Sequence, residues 1–356
     1  MALETQKALV LQEEGASFTL EERNIPTPTA GEILVKIKAV ALNPVDWKIQ
    51  AFSILKFDYP AIVGTDIAGD VVQVGEGAGG FVVGDRVFFQ GWFSPEYAGF
   101  QQFTRVPAEL AAKIPASVTY SQAASVPLAG AAAAIGLFFT PGGAGLNPTL
   151  DKNVQFTGRP AVVIGGATSC GQYGTSATTP FITIPAIQLL KYSGFSPIIT
   201  SASSHHTDLL KGFGATHIID RKAVTIQDLA YEVKRITNEP IKIVFDAVSV
   251  PDTQEAGHSI VADGGDLVLL HPSAIKNPSQ GKKTHYVLGN VHPEVNRSFG
   301  RLLYEKLPEF LEDGTIVPNN VEELPNGLAG IPDGLERLKT DQVSGKKLVA
   351  LPHETF

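Results

Sequence analysis

The sequence is poor in sulfur and in charge. It holds one cysteine, Cys170. A single thiol excludes an internal disulfide and a thiolate-rich metal centre, and it fits a reducing compartment. Charged residues make up 18% of the chain, with acids outnumbering bases 36 to 28 for a net charge of −8. Nucleic acid and anionic membrane both call for a basic face, so neither is the expected partner. The N-terminus, MALETQKALVLQEEG, carries charge from its start and has no apolar signal core, which makes the cytoplasm the expected location. Two stretches, 114–150 and 160–190, contain no charge at all. Their length raises a membrane-spanning reading. Their Gly, Pro, Ser, Thr and Ala content weakens the hydropathy and breaks the helices, so they read as buried soluble segments. No repeat or low-complexity tract is evident.

What is present is enough apolar residue for more than one core. The chain has 356 residues, 44% of them hydrophobic, which predicts two domains. QKALVLQEEGASFTL (6–20) reads as a hairpin turning at Gly15. GEILVKIKAVAL (31–42) alternates like a half-buried strand, and 62–89 is a series of strands broken by glycines. Residues 1 to about 125 are therefore mainly β. SQAASVPLAGAAAAIGLFF (121–139) reads as a buried Ala-rich helix, interrupted or started near Pro127. Beyond it, AVVIGGA (161–167), PIITSAS (197–203), HIID (217–220), IVFDAVS (243–249) and GDLVLL (265–270) are short apolar strands. Helical stretches AIQLLKYSG, HTDLLKGFG and TIQDLAYEVKRITN lie between several of them. This alternation predicts an α/β unit with a doubly wound parallel sheet. FGRLLYEKLPEFLEDG (299–314) reads as an amphipathic helix and GKKLVAL (345–351) as a closing strand.

The run AVVIGGATSCG carries the first chemical signal. A glycine-rich turn after a buried strand lets a pyrophosphate approach the backbone, and the next helix N-terminus offers free N–H groups. The usual fingerprint places an acid about 20 residues on, at the end of the second strand. Counted from Gly171, that position falls at Lys191, within a helix. Removing Gly174–Pro185 from the count moves it to Ser203, at a strand end. The second strand ends SASSHH, with no acid before Asp208. Ser203, Ser204, His205 and His206 can donate to a phosphate, and Arg221 is a further phosphate contact. The expected cofactor is therefore NADPH rather than NADH.

Several motifs together now carry a resemblance: VALNPVDWK (40–48), GTDIAGDVVQVGEGAGGFVVGDRV (64–87), AKIPASVTYSQAASVPL (112–128), GGATSCGQ (165–172), DLLKGFGATHIID (208–220) and VSGKKLV (343–349). The chain resembles the zinc-independent, quinone-oxidoreductase-like branch of the medium-chain dehydrogenase/reductase superfamily. It is most similar to fungal trans-acting enoyl reductases and their toxin-biosynthesis-like relatives. The resemblance spans all but the segment 174–185. It implies a GroES-like catalytic domain at 1–125, completed by about 290–356. A Rossmann NADPH-binding domain would occupy 126–289. It implies that Val45, Asp46, Trp47 and Lys48 lie at the nicotinamide side, with Lys48 orienting a carbonyl or the cofactor. Thr168, Ser169, Cys170 and Gly171 would bind pyrophosphate. Ser203, Ser204, His205, His206 and Arg221 would bind the adenosine phosphate. Leu270, Val343 and Ser344 would complete the cofactor site, and Ala133, Ala134, Ile135, Gly136 and Leu137 would line the substrate tunnel.

The sequence departs from the pattern at several points. Relatives with zinc carry Cys and His where Asn43 and Thr65 stand, so no metal is expected. Relatives usually carry Thr where Ala132 stands and Tyr where Arg221 stands. Without a Lewis acid, hydride transfer to a double bond conjugated to a carbonyl is the expected reaction, driven mainly by positioning. The resemblance implies an enoyl substrate, free or carrier-bound, with a polyketide synthase as a partner and a monomer or homodimer as the assembly. The alternatives are a quinone or enone reductase acting on free small molecules, and a non-enzymatic protein with a damaged cofactor site.

The segment 174–185 leaves three readings open. Pro180 and Pro185 cannot lie within a continuous helix. Either the segment loops out after a first turn at GQY, or Pro185 opens a late helix capped by Thr183, or the segment is translated intron or a gene-model error.

Overall fold

The computed structural model describes residues 4–52, 58–165 and 183–355. They fall into two compact units. The first comprises the described residues of Met1–Leu128, Tyr304–Asp313 and Pro318–Phe356. The second comprises those of Ala129–Leu303 and Gly314–Val317.

The first unit is mainly β. Its elements before residue 128 are β1 (Thr5–Leu11), β2 (Phe18–Asn24), β3 (Glu32–Ala41), α1 (Pro44–Phe52), β4 (Ala61–Ile62), β5 (Asp66–Val74), β6 (Arg86–Gln90), β7 (Phe103–Pro107), β8 (Ala111–Lys113) and α2 (Tyr120–Ala124). β1 and β2 form the antiparallel hairpin that 6–20 predicts. β3 is the hub of the larger sheet, pairing antiparallel with both β5 and β7. Register shifts at Leu34/Val35 and Ile37/Ala39 bend it, as bulges do. The Ala-rich stretch 121–139 divides at Ser125–Val126. α2 is closed by a Thr119–Gln122 capping box, and α3 (Pro127–Phe138) starts on Pro127, where a missing N–H costs nothing.

The second unit holds a parallel six-stranded sheet. In chain order its elements after α3 are β9 (Ala161–Ile164), α4 (Thr183–Tyr192), β10 (Ile198–Ala202), α5 (Thr207–Phe213), β11 (His217–Asp220), α6 (Leu229–Ile236), β12 (Ile243–Asp246), α7 (Pro251–Ile260), β13 (Asp266–Leu269) and β14 (Lys283–Tyr286). The strand order is β11-β10-β9-β12-β13-β14. All pairs are parallel; β9 is wholly apolar, and β12 and β13 are apolar apart from one terminal aspartate each, as burial on both faces requires. The α/β class and doubly wound sheet follow the strand–helix alternation. Val162, Ile199, Val244 and Leu267 pack with Leu229 and Val233 of α6 into one core. α3 closes on the sheet at Gly136, where a Cβ would meet Val268 at 2.8 Å and Phe245 at 3.0 Å. Thr168–Gly171 and most of 174–185 lie outside the described residues. α4 begins at Thr183, so Pro185 sits in its first turn, where proline is tolerated.

Three last elements follow: α8 (Glu294–Glu312), β15 (Val321–Glu323) and α9 (Ile331–Lys339), with β16 (Lys347–Ala350) closing the first unit's sheet against β3. α8 contains 299–312, the bulk of the predicted amphipathic helix.

Candidate functional site

In the second unit the chain starts at β9, winds one way to β10 and β11, then the other way to β12, β13 and β14. The crevice at the carboxyl ends of β9 and β12 is therefore the topological switch point, the place where open α/β sheets bind ligands. The described chain at β9 stops at Gly165, whose carbonyl accepts from the Ser201 hydroxyl at 3.3 Å. Across the crevice stands Asp246, fully buried at the end of β12. It accepts the N–H groups of Val248 (3.0 Å) and Ser249 (2.8 Å) and the Thr253 hydroxyl (2.7 Å). Burial pushes its carboxyl up to about 6 despite these donors.

The adjacent ends of β10 and β11 gather the polar residues singled out in SASSHH. Ser203 and His206 are buried, while Ser204 and His205 are exposed. The His205 and His206 rings meet edge-on at 5.2 Å. Arg221 follows β11 and donates its N–H to Ala202 at 3.0 Å. Burial pulls the His206 imidazolium down, and the charges of His205 and Arg221 add to the shift, which places these basic groups about one point. The structure adds a residue that sequence reasoning missed. Asp220 pairs in register with Ala202 and is held below the usual carboxylate range by the Lys222 N–H, the Ser204 hydroxyl and the Ser204 N–H. Ser204 is thus engaged by a carboxylate from the neighbouring strand, leaving His205, His206 and Arg221 as the donor side of this corner, with Arg221 carrying the positive charge. The available signal was the acid ending HIID, which only the β10–β11 register brings beside SASSHH.

The residues expected to line a tunnel are packed inside. Ala133, Ala134, Ile135 and Leu137 are fully buried in α3, and Gly136 is the point of closest approach to the sheet. At Ala132, where relatives carry Thr, a Cβ on Gly289 would come within 2.7 Å of the Ala132 methyl. The smaller residue is matched by close packing. Leu270 is partly exposed, and its N–H donates to the Ser249 hydroxyl at 2.7 Å.

In the first unit, VDWK forms the first turns of α1. Asn43 is buried at its start, and its N–H donates to Asp46 at 2.7 Å, the N3-to-cap half of a capping box. Asp46 is fully buried, and desolvation pushes its carboxyl up to about 7, although the Asn43 N–H, the Lys347 charge and the Gly64 N–H oppose this. Asp46 Oδ1, Trp47 Nε1 and Thr65 Oγ1 are buried without hydrogen-bond partners. Lys48 is half-buried with its ammonium 5.8 Å from the Trp47 ring centroid, and burial draws its pKa down. Val45 is half-buried on the same helix. Val343 is partly exposed and Ser344 exposed, in the turn leading to β16. Below them Lys347, wholly buried, pairs with Asp66 at 2.9 Å and donates to Asn43 at 2.5 Å. Asp66 also accepts from Asn43 Nδ2 (3.0 Å) and from the Leu128 N–H (2.6 Å) at the start of α3. Tyr97 donates to Glu32 at 2.5 Å, and burial and that bond raise its hydroxyl to about 12. It is a structural tyrosine rather than a proton source.

A cavity of about 430 Å³ in the second unit is lined by Val233, Lys234, Glu239, Ile241, Val261 and Asp263. It lies at the amino ends of β12 and β13, the opposite edge of the sheet from the crevice. Residues 29–116 match the alcohol dehydrogenase GroES-like domain family, and residues 182–301 match the zinc-binding dehydrogenase family. A trans-enoyl reductase of Penicillium sp, grgB, is 30% identical across 97% of both chains.

The chain belongs to the medium-chain dehydrogenase/reductase family. It is an oxidoreductase of that family, similar to its fungal trans-enoyl reductases. The dehydrogenase azaJ of Aspergillus niger is 34% identical over 94% of this chain and 96% of that one. An alcohol dehydrogenase superfamily protein from Novosphingobium aromaticivorans superposes with a TM-score of 0.79 at 25% identity, covering 98% of this chain and 99% of its own. The match at 182–301 begins within the 174–185 segment, past the glycine-rich run GGATSCG (165–171). The family's zinc does not fit the residues here. Among the described residues no three His, Cys, Asp or Glu side chains converge. Around Asp66 the neighbours are an amide and an ammonium, and an ammonium has no lone pair to offer a metal.

Proposed function

We propose that this protein is an NADPH-dependent reductase of carbon–carbon double bonds conjugated to a carbonyl. The observation that carries the reading is the placement of His205, His206 and Arg221 together at the ends of β10 and β11, one strand from the switch-point crevice. The Arg221 guanidinium and the imidazole N–H groups there suit a 2′-phosphate. Asp220 suits a ribose hydroxyl better, but its acceptor capacity is directed at Ser204 and the Lys222 N–H. The glycine turn Thr168–Gly171 is the proposed pyrophosphate contact.

When bound, a reduced nicotinamide would supply the hydride equivalent for the β carbon, with solvent supplying the proton for the α carbon. The chain's own residues position and polarise. Lys48 lies in the VDWK turn with a desolvated ammonium, suited to a substrate carbonyl whose oxygen gains charge. Leu270 in the second unit, and Val343 and Ser344 in the first, are each proposed as cofactor contacts. Given the fungal trans-enoyl reductase relatives, the proposed substrate is an enoyl thioester on a carrier of a polyketide synthase. NADPH oxidation should be followed with carrier-bound enoyl thioesters, free enones and quinones. Faster turnover of the carrier-bound thioester supports the proposal. Turnover of quinones or free enones alone replaces it with a small-molecule reductase, and no turnover of any of them contradicts it.

A further inference from the structure

Ser249 is the residue of the switch-point crevice whose backbone is least expected. Its φ is +55°, in the left-handed region that glycine enters readily and serine does not. It is also 3% exposed. A non-glycine residue holds such a conformation where surrounding bonds over-determine it, and Ser249 has such bonds. The Ser249 N–H donates to Asp246 at 2.8 Å and its hydroxyl donates to the Asp246 carbonyl at 2.6 Å. The same hydroxyl oxygen accepts from the Leu270 N–H at 2.7 Å. The Ser249 carbonyl accepts from Gln254 Nε2 at 2.9 Å. Gln254, 1% exposed, also donates to Pro272 (3.1 Å) and accepts the Ala274 N–H (2.6 Å).

These bonds join the end of β12 to the segment that leaves β13. A glycine at 249 would allow the turn but could not make the bridge. We infer that Ser249 is a cofactor-positioning residue: its hydroxyl clamps the ends of β12 and β13 and fixes the 270–274 segment as one wall of the dinucleotide crevice. Because its hydroxyl is used on both sides within the fold, Ser249 is assigned a positioning rather than a contact role. It acts through Leu270. The inference rests on the nicotinamide reading of the site proposed above.

The test uses the full chain and three variants. S249G keeps the left-handed turn and removes the bridge. S249A removes the bridge and keeps the backbone penalty. S259A deletes a hydroxyl near the far end of α7, which donates only to Ala256, and serves as control. Amide exchange at Leu270 should quicken about tenfold or more in S249G and S249A and stay unchanged in S259A. The dissociation constant and the KM for NADPH should both rise about 3- to 10-fold in the two Ser249 variants, with a smaller change in kcat, as loss of one positioning hydrogen bond gives. If S249A does not fold, S249G decides alone. Unchanged Leu270 protection in S249G overturns the clamp. Quickened exchange with unchanged NADPH affinity overturns the positioning role while leaving the reductase reading intact. Absence of NADPH and NADH binding by the unmodified chain overturns that reading, and the inference with it.

Discussion

Each unit buries a carboxylate at the heart of its polar cluster, and they are compensated differently. In the first unit Asp66 is held by an ammonium, Lys347, as well as by neutral donors. In the second, the partners of Asp246 among the described residues are backbone N–H groups and one hydroxyl, and its carboxyl rises to about 6. A buried charge without a counter-charge is driven towards its neutral form. An ion pair fixes charge and depends on both partners, whereas a ring of neutral donors fixes a turn and leaves the acid titratable. The first arrangement suits a scaffold; the second suits a crevice wall whose geometry matters more than its charge.

The largest expected effect breaks the ion pair. Lys347→Met strands a buried carboxylate and should cost about 3–5 kcal/mol, read from urea unfolding of the full chain. The double variant Asp66→Asn, Lys347→Met should recover much of that loss. A single-variant cost below about 1 kcal/mol would show that the pair is not a structural anchor.

Next comes pH, which separates the ion pair from the titratable acids. Asp246 has a folded pKa of about 6 against 3.8 for the free group. The folded state therefore binds the proton more tightly, and stability falls as pH rises between those values. The difference amounts to about 3 kcal/mol across the window and is flat above it. Asp46, at about 7 in the fold, has the same sign over a window reaching about one unit higher. Unfolding free energies of wild type, Asp246→Asn and Asp46→Asn from pH 4 to 8 should show the wild type losing stability relative to each variant over its own window. Parallel curves would contradict the assignments.

Arg221→Gln should weaken NADPH binding about tenfold and leave NADH nearly unchanged, by calorimetric titration. Equal weakening of both would remove Arg221 from the phosphate corner. The smallest effect falls in the first unit, outside both clusters. Thr119→Ala opens the capping box of α2 and should cost about 1 kcal/mol in thermal or urea unfolding, with no change in NADPH affinity.

Much of the fold was legible because it rests on local pattern. The apolar runs at 161–164, 198–202 and 243–246 are strands for the reason their composition gives, burial on both faces. The elements that escaped reading are those whose cause is tertiary. β14, KTHY, is a polar edge strand with no apolar run to announce it. α1 contains a proline and a buried aspartate, and its start is set by Pro44 at the first position and Asp46 accepting the Asn43 N–H. The site divides the same way. SASSHH and Arg221 could be placed at strand ends by counting, but Asp220 reaches Ser204 only through the β10–β11 register. Ser249 is invisible in sequence because positive φ depends on bonds to residues up to 21 positions away. The glycine turn at Thr168–Gly171 remains a reading of sequence, since it lies outside the described residues.

The account turns on the second unit holding a phosphorylated nicotinamide dinucleotide. Calorimetric titration of the full chain with NADPH and with NADH, repeated on a chain lacking residues 174–185, tests this directly. Saturable binding of NADPH, tighter than that of NADH, is the predicted result. No saturable binding of either dinucleotide by either chain would contradict it.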